Sequence, residues 1–176
     1  MKTPTGVRGP LCRVVRARIG RVVLRAATRR DVAGVSRMEW EATLTEHRLV
    51  PDIAGWRIDP RVSRRHWRRT IASPRQRLFV AMRGTEVLGA IGVDLLVSSH
   101  RLAHVRRRIY LYSLFVAPAA RRAGLARRLT QLALDWGRGR GATQARLEMA
   151  WPNRGARALY ESVGFRPREL MLARPL

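Results

Sequence analysis

Cysteine is nearly absent from this sequence of 176 residues, in which Cys12 is the only one. A single thiol in an arginine-rich opening segment excludes a disulfide framework and a cysteine metal site. Long apolar runs are lacking too, since none approaches the ~20 residues that cross a bilayer, and the first residues lack the apolar segment of a secretory signal. We therefore expect a cytoplasmic protein with no membrane partner.

Lysine and acidic residues are also scarce. Lys2 is the only lysine, so 35 of the 36 basic residues are arginine, and 12 acids leave a formal net charge of +24. Such an excess can supply phosphate contacts to a nucleic-acid-binding protein and steer its association. Because the arginines are spread over the whole chain, we favour a solvated basic surface, and nucleic acid stays as the less favoured partner.

The length fits one ordinary domain whose core needs no covalent staples. Residues 1–20 contain several arginines and no acid, and we assign them to a basic N-terminal tail. Residues 21–176 form the predicted domain. Residues 21–26 are typical of a short strand, and Thr28 followed three residues later by Asp31 predicts the cap of a helix.

The remaining elements follow from apolar spacing and from turn residues. A helix is expected after Asp31 until the pattern fades before Pro51. Strands are predicted over residues 78–82, 87–93, 109–116, 145–151 and 169–173, and helices over residues 61–71, 125–136 and 154–163. This order predicts a single α/β (α+β) domain in which a mixed central sheet is flanked by helices on both faces.

The segment with the most chemical information covers residues 116–126 and joins an apolar strand to a helix through small residues. Such a turn leaves backbone N–H groups unpaired at the positive end of the helix dipole, where a pyrophosphate binds well. Gly124 lets the backbone approach a ligand closely, and Arg121 and Arg122 add charge. From the residues alone, the turn either binds a diphosphate or merely reverses the chain.

This loop resembles the acetyl-CoA loop of the GNAT superfamily of N-acetyltransferases, in which Arg or Gln stands three residues before Gly, and Gly or Ala stands two residues after it. Arg121, Gly124 and Ala126 occupy those places. A second block is similar to the family pattern of an apolar strand, Asn, a short helix, Leu-Tyr and Gly-Phe: residues 147–153, 159–160 and 164–165. The resemblance runs from about residue 21 to the C-terminus and implies the fold of that family.

The resemblance implies direct transfer of an acetyl group from acetyl-CoA, as co-substrate, to a primary amine of a small molecule or a protein, without a metal. A covalent acyl-enzyme is not expected, because Cys12 is far from the motif and no Ser-His pairing is visible. The residues implied in binding acetyl-CoA are Leu114, Phe115, Val116, Arg121, Arg122, Ala123, Gly124, Leu125, Ala126, Arg127 and Asn153. A backbone N–H of the strand that ends at Val116 is implied to polarise the thioester carbonyl and to stabilise the oxyanion.

Tyr160 has two interpretations. In the residue pattern alone it shares one face of a short helix with Leu159 and Val163, which is typical of a core aromatic with its hydroxyl at the edge. The resemblance instead implies a catalytic role, in which Tyr160 is the general acid that protonates the departing CoA thiolate. We adopt the second interpretation as the prediction.

The general base stays unassigned. Many relatives carry an acidic residue on the strand that corresponds to residues 110–113, and this chain has none there. Tyr110 or Tyr112 relays a proton through water in one hypothesis, and packs or shapes the acceptor pocket in another. Glu148 is a further alternative, although its strand neighbours suggest a structural role.

Half of the acids crowd into the first helix and the loop after it: Asp31, Glu39, Glu41, Glu46, Asp52 and Asp59. The corresponding region lines the acceptor side in the family, which would suit a cationic amine, but exposed helix acids would look the same. His100 and His104 stand four residues apart without a thiol or carboxylate close by in sequence. We therefore expect no metal site.

The rival function is a nucleic-acid-binding or ribosome-binding module that keeps the same fold. Arginines at positions 61, 64, 65, 68 and 69 recur at helical spacing and form a cationic outer face. Residues 106–108 add three more arginines, and both groups suit contacts with phosphates. The sequence also leaves open whether the protein is a monomer or a homodimer.

Overall fold

The structure is a computed structural model that describes residues 17–49, 59–100 and 104–169. Within these residues the strands are β1 (Ala17–Ile19), β2 (Val22–Ala26), β3 (Gln76–Arg83), β4 (Glu86–Val97), β5 (Arg107–Val116) and β6 (Gln144–Leu147). The helices are α1 (Val32–Leu49), α2 (Pro60–Ala72), α3 (Leu125–Arg138) and α4 (Arg154–Ser162). Short 3₁₀ turns at Arg29–Asp31 and Pro118–Ala120 precede α1 and α3.

The strands form one sheet in chain order, from β1 at one edge to β6 at the other. Neighbours from β1 to β5 are antiparallel, and β3 and β4 form a hairpin around Gly84. After β5, α3 carries the chain back so that β6 pairs with β5 in parallel. The predicted mixed sheet is confirmed.

Alternate residues of the central strands face opposite helix layers. In β3, Leu78 and Val80 pack with Trp67 beneath α1 and α2, whereas Phe79 and Ala81 pack on the side of α3. These four β3 side chains are at most 2% exposed, so both faces of the sheet are covered by core contacts. The predicted α/β architecture, with helices on both faces, is therefore confirmed.

The start of the first helical segment has the predicted cap. The Asp31 carboxylate accepts hydrogen bonds from the backbone N–H of Thr28 at 2.7 Å and from its hydroxyl at 2.9 Å. Arg25 donates to both oxygens of the same carboxylate, at 2.7 and 2.9 Å. Burial alone would raise the pKa of Asp31, but the hydrogen bonds from Arg25 and Thr28 together lower it.

Two boundaries differ from the sequence-based expectations. β1 pairs with β2, so the sheet begins inside residues 1–20, which we assigned to a tail. The strand predicted over residues 145–151 is wrong at its end, because β6 stops at Leu147, opposite Leu111, and β5 bulges just beyond this pair. The strand predicted over residues 169–173 lies almost entirely outside the described residues. No helix in the described part of the chain is long and apolar enough to cross a membrane.

Candidate active site

β5 and β6 separate near the middle of β5. Their parallel pairing runs from Arg108, opposite Gln144, to Leu111, opposite Leu147, and β6 ends there. β5 continues to Val116, so within the described residues its edge on the β6 side has no strand partner over residues 112–116. A free strand edge presents backbone N–H and C=O groups that can pair with an extended ligand.

A β-bulge lies in the same part of β5, in its pairing with β4. Tyr112 pairs with Gly92 and Phe115 pairs with Ala90, so two β5 residues face the single residue Ile91. Within the bulge, Ser113 has a φ of +49°, which is uncommon for a residue other than glycine. Bulges re-aim the backbone next to functional sites, and nothing in the sequence marks Ser113 as the position of one.

The end of β5 offers backbone rather than side chains. Phe115 is 8% exposed and packs beneath α1 and α2, while Leu114 and Val116 pack against the core on the α3 side. The side chains of these three predicted acetyl-CoA residues are thus committed to the two cores. A ligand that lies along the free edge of β5 would meet their backbone N–H and C=O groups.

The loop after β5 presents a run of unpaired donors. Gly124, with a φ of +73°, caps α3, and Arg122 has a φ of +64°. The first hydrogen bond of the helix runs from the Arg128 N–H to the Gly124 carbonyl at 3.1 Å. In the described part of the chain, the backbone N–H groups of residues 122–127 have no hydrogen-bond acceptor. These donors stand at the positive end of a 14-residue helix.

Some side chains of this loop fix its position, and others present positive charge to solvent. Leu125 is 2% exposed and fixes the start of α3 in the core, whereas Ala123 and Gly124 are exposed. Arg121 donates its Nε hydrogen to the Val116 carbonyl at 3.2 Å and so braces the loop against β5. The exposed guanidinium groups of Arg122 and Arg127 have no hydrogen-bond or ion-pair partner among the residues described.

α4 follows the pattern that the sequence predicts. The Asn153 side chain caps it by accepting a hydrogen bond from the Ala156 N–H at 3.0 Å. Gly164, with a φ of +94°, lies just after its end. Tyr160 is half-buried and meets Phe165 edge-on, with 5.7 Å between the ring centroids. The Asn153 side-chain oxygen serves this cap, and the contact of Asn153 with the cofactor stays a prediction.

Three stacked rings form an aromatic row that runs from α2 to β5: Trp67, Tyr112 and Tyr110. The centroids of Trp67 and Tyr112 are 5.9 Å apart with an interplanar angle of 4°, and those of Tyr112 and Tyr110 are 6.5 Å apart at 18°. Trp67 is fully buried, and the Tyr112 hydroxyl lies 3.5 Å from the Thr70 hydroxyl. The row leads from the buried core toward the half-buried ring of Tyr110.

Both tyrosines of the aromatic row are held as neutral phenols. Burial raises the pKa of Tyr112 above its ordinary value, and the nearby charges of Asp94 and Glu39 add to this increase. Burial also raises the pKa of Tyr110, together with the charge of Glu148. Since the ordinary value is already ~10, neither phenol is ionised at neutral pH, and neither is a base by itself.

Three acids of the predicted acidic acceptor region have structural partners instead. Asp31 holds Arg25, as described above. Glu39 accepts hydrogen bonds from the Ser63 hydroxyl at 2.5 Å and from the Trp67 indole N–H at 3.0 Å, which ties α1 to α2. Asp59 caps α2. The side chains of two others lie outside the described residues: Glu46 and Asp52. At three positions of this acidic region, the acid is therefore explained by its structural contacts.

The described part of the chain contains no cluster of metal-ligating side chains. Among residues 17–49, 59–100 and 104–169, no group of three or more His, Cys, Asp or Glu side chains is arranged to hold a metal ion. His100 and His104 flank residues 101–103, which lie outside that part, and the position of Cys12 lies outside it too.

Comparison with known proteins gives one family match. The sequence model of the acetyltransferase (GNAT) family matches residues 32–165. Among curated protein sequences, no match to this chain was found.

Solved structures with the same fold are numerous. A mutant of the BH1408 protein from Bacillus halodurans superposes with a TM-score of 0.77 at 18% identity, over 87% of this chain and 98% of that one. A predicted acetyltransferase with acetyl-CoA from Clostridium acetobutylicum gives a TM-score of 0.68 at 15% identity, over 88% and 96% of the two chains. AAC(6')-Iy, in complex with the bisubstrate analog CoA-S-monomethyl-acetylneamine, also gives 0.68, at 14% identity, over 88% and 98%. At these identities the similarity concerns the fold.

Proposed function

Because this chain belongs to the acetyltransferase (GNAT) family, we propose that it transfers the acetyl group of acetyl-CoA directly to a primary amine of a small molecule or a protein. The observation that carries the proposal is the run of unpaired N–H groups over residues 122–127, next to the free edge of β5. The scarcity of cysteine suits a reducing compartment, and we place the reaction in the cytoplasm.

The loop residues fit the diphosphate of acetyl-CoA. Backbone N–H groups at a helix N-terminus donate to phosphate oxygens, and the helix dipole favours the negative charge. Arg122 and Arg127 add two guanidinium groups that no acid of the described chain neutralises. Arg121 keeps one hydrogen bond to Val116, so its role is partly to hold the loop in shape.

The free edge of β5 fits the amide groups of an extended pantetheine arm. Leu114, Phe115 and Val116 contribute their backbone, since their side chains pack into the cores. When bound, acetyl-CoA supplies an activated acetyl thioester. A backbone N–H in this stretch, near the bulge at Ser113, donates to the thioester carbonyl and stabilises the negative charge that develops there.

Tyr160 supplies the proton for the departing thiolate. Its ring is half-buried and packs edge-on against Phe165. A phenol hydroxyl is a proton donor and can serve as a general acid. The family resemblance of residues 159–165 supports this assignment, while the packing contact alone would also suit a core aromatic.

The amine must lose a proton before it attacks, because a lysine-like amine has a pKa of ~10.4. Glu148 suits the removal of this proton better than its sequence neighbours suggested, because it is exposed and lies beyond the end of β6. It is also close enough to Tyr110 for its charge to raise the pKa of that phenol. We assign the proton path to Glu148, with Tyr110 beside it as a neutral hydrogen-bonding group.

A thiol-release assay tests the proposed reaction. The purified full chain is mixed with acetyl-CoA and a panel of amines that covers polyamines, aminoglycosides, amino acids, peptide N-termini and protein lysines. At least one amine is expected to release free CoA thiol in proportion to acetylated product. Hydrolysis of acetyl-CoA at the same rate with and without every amine contradicts the proposal.

A further inference from the structure

The outer face of α2 forms a surface cleft of about 480 Å³ that no part of the proposed reaction uses. We call it the arginine cleft. Its lining consists of Ala72 and six arginines: Arg29, Arg61, Arg64, Arg65, Arg68 and Arg69. None of these residues belongs to the proposed acetyl-CoA site. Arg29 comes from the turn before α1, so the cleft is made by two segments distant in sequence.

The arginines face outward because the opposite side of α2 is committed to the core. Ser63, Trp67 and Thr70 are buried at the spacing of one helix face. Arg61 and Arg69 are eight residue steps apart, or about 12 Å along the helix at 1.5 Å per step. Five guanidinium groups thus project from just over two turns of helix.

The charges of the arginine cleft are not compensated within the described chain. Four arginines of the described chain form ion pairs with acids, and Arg83 with Glu86 and Arg138 with Asp135 are examples on the surface. The six cleft arginines have no ion pair with any described acid. Like charges packed this closely repel one another, and a bound polyanion would relieve the repulsion.

We propose that the arginine cleft binds the phosphodiester backbone of a nucleic acid without regard to its sequence. Guanidinium groups match phosphate oxygens bidentately, and a 12 Å row can contact a few consecutive phosphates. The lining contains no aromatic ring on which a base could stack and no amide that could read a base edge. Binding therefore comes from the backbone charge and is independent of acetyl transfer.

The composition of the cleft disfavours a membrane or an acidic protein. An interfacial helix inserts a continuous apolar face among lipids, but in α2 Trp67 is fully buried in the core and Val62 is the only large apolar side chain that is exposed. Protein interfaces have an apolar or aromatic centre, and here the only apolar lining residue is Ala72. A linear row of phosphates is the partner that the lining fits.

Fluorescence anisotropy with a fluorescein-labelled RNA of 20 nucleotides tests the proposal between 50 and 200 mM NaCl. The cleft variant carries Arg64→Gln, Arg65→Gln and Arg68→Gln. The matched control removes the same charge from exposed positions elsewhere: Arg18→Gln, Arg21→Gln and Arg168→Gln. All six side chains are exposed, so both variants should fold and melt like the parent protein.

The logarithm of the parent protein's RNA affinity is expected to fall linearly with the logarithm of salt concentration. In the cleft variant, the slope of log affinity against log salt concentration should be smaller in magnitude by about 2, because each lost phosphate contact removes ~0.7. Its RNA affinity should be lower by ~10-fold or more. The control should stay within about twofold of the parent. Unlabelled DNA of another sequence should compete well, whereas polyglutamate and phosphatidylserine vesicles should not.

Three results overturn the proposal. Equal losses in the two variants show attraction by net charge alone. Absence of RNA binding at 50 mM NaCl excludes the site altogether. Competition by polyglutamate or by the vesicles that equals competition by DNA shows that the cleft prefers another class of polyanion.

Discussion

The ring of Tyr112 lies directly against Gly92, its partner across the β4–β5 ladder. A Cβ atom on Gly92 would stand 2.5 Å from two atoms of that ring, which is closer than real contacts allow. The same ring stacks on Trp67 and has Tyr110 beside it. The absence of a side chain at Gly92 therefore sets the position of the whole aromatic row.

Gly92→Ala is expected to displace the Tyr112 ring. Because the ring is packed under α2, the overpacking should destabilise the fold by about 1–3 kcal/mol, and the displaced aromatic row should raise KM for the amine. Denaturant unfolding and steady-state kinetics measure the two effects. The control is Gly139→Ala, whose Cβ would make only ordinary contacts, and it should leave both quantities near the parent values. Equal stability of the two variants contradicts the packing described.

Tyr160→Phe is expected to lower kcat by ~10²-fold or more with little change in the affinity for acetyl-CoA, since it removes only the acidic proton. Turnover is measured by thiol release, and affinity by calorimetry. Tyr112→Phe removes a phenol hydroxyl at a position to which the proposed reaction assigns no step, and it should keep kcat within a few-fold. If Tyr160→Phe retains full turnover while chemistry limits the rate, Tyr160 is a packing residue.

Glu148→Gln tests the proposed proton path through its dependence on pH. At pH 7 the variant should lose ~10- to 100-fold in kcat/KM, because most of the amine is protonated and no carboxylate receives its proton. The deficit should shrink as the pH rises toward the pKa of the amine, where the neutral amine is already abundant. Glu86→Gln, at the exposed β3–β4 turn, is the control and should show no deficit. A constant deficit at every pH argues against a role in proton removal.

Asp31→Asn is expected to destabilise the fold by ~2 kcal/mol at pH 7, since it weakens the charge-assisted hydrogen bonds with Arg25. The pKa of Asp31 is lowered in the fold, so its contribution is complete above the unfolded value of ~3.9 and disappears as the pH falls through the folded value. Chemical unfolding from pH 7 to pH 2 should show the two proteins converging in acid. Asp135→Asn, from an exposed pair, should cost less than about 1 kcal/mol. If the difference in unfolding free energy between the two proteins grows as the pH falls, the pKa of Asp31 is not lowered in the fold.

Much of the fold could be predicted from local patterns in the sequence. α2 and α3 have buried residues at helical spacing, and the cap formed by Thr28 and Asp31 depends on residues three apart. Such features are encoded within one element, so a single sequence contains the information. The loop before α3 belongs to the same class, because Gly124 and its flanking arginines mark a turn with exposed donors.

The features that escaped prediction depend on contacts between distant segments. The bulge at Ser113 and the end of β6 at Leu147 follow from the pairing of β5 with two neighbours, and serine gives no signal of a positive φ. The acids of α1 could be predicted as a group, but not the bonds of Glu39 to Ser63 and Trp67 on another helix. Gly92 did leave a signal, since glycine inside an apolar strand indicates a close approach.

Calorimetric titration of the folded full chain with acetyl-CoA tests the central claim, that the N–H groups of residues 122–127 and their arginines bind a diphosphate. Saturable binding with a Kd below about 1 mM is expected, and Arg122→Gln with Arg127→Gln should weaken it by ~10-fold or more. Arg18→Gln with Arg21→Gln removes the same charge from the β1–β2 hairpin and should have little effect. No heat of binding at millimolar acetyl-CoA, from protein shown to be folded, contradicts the account.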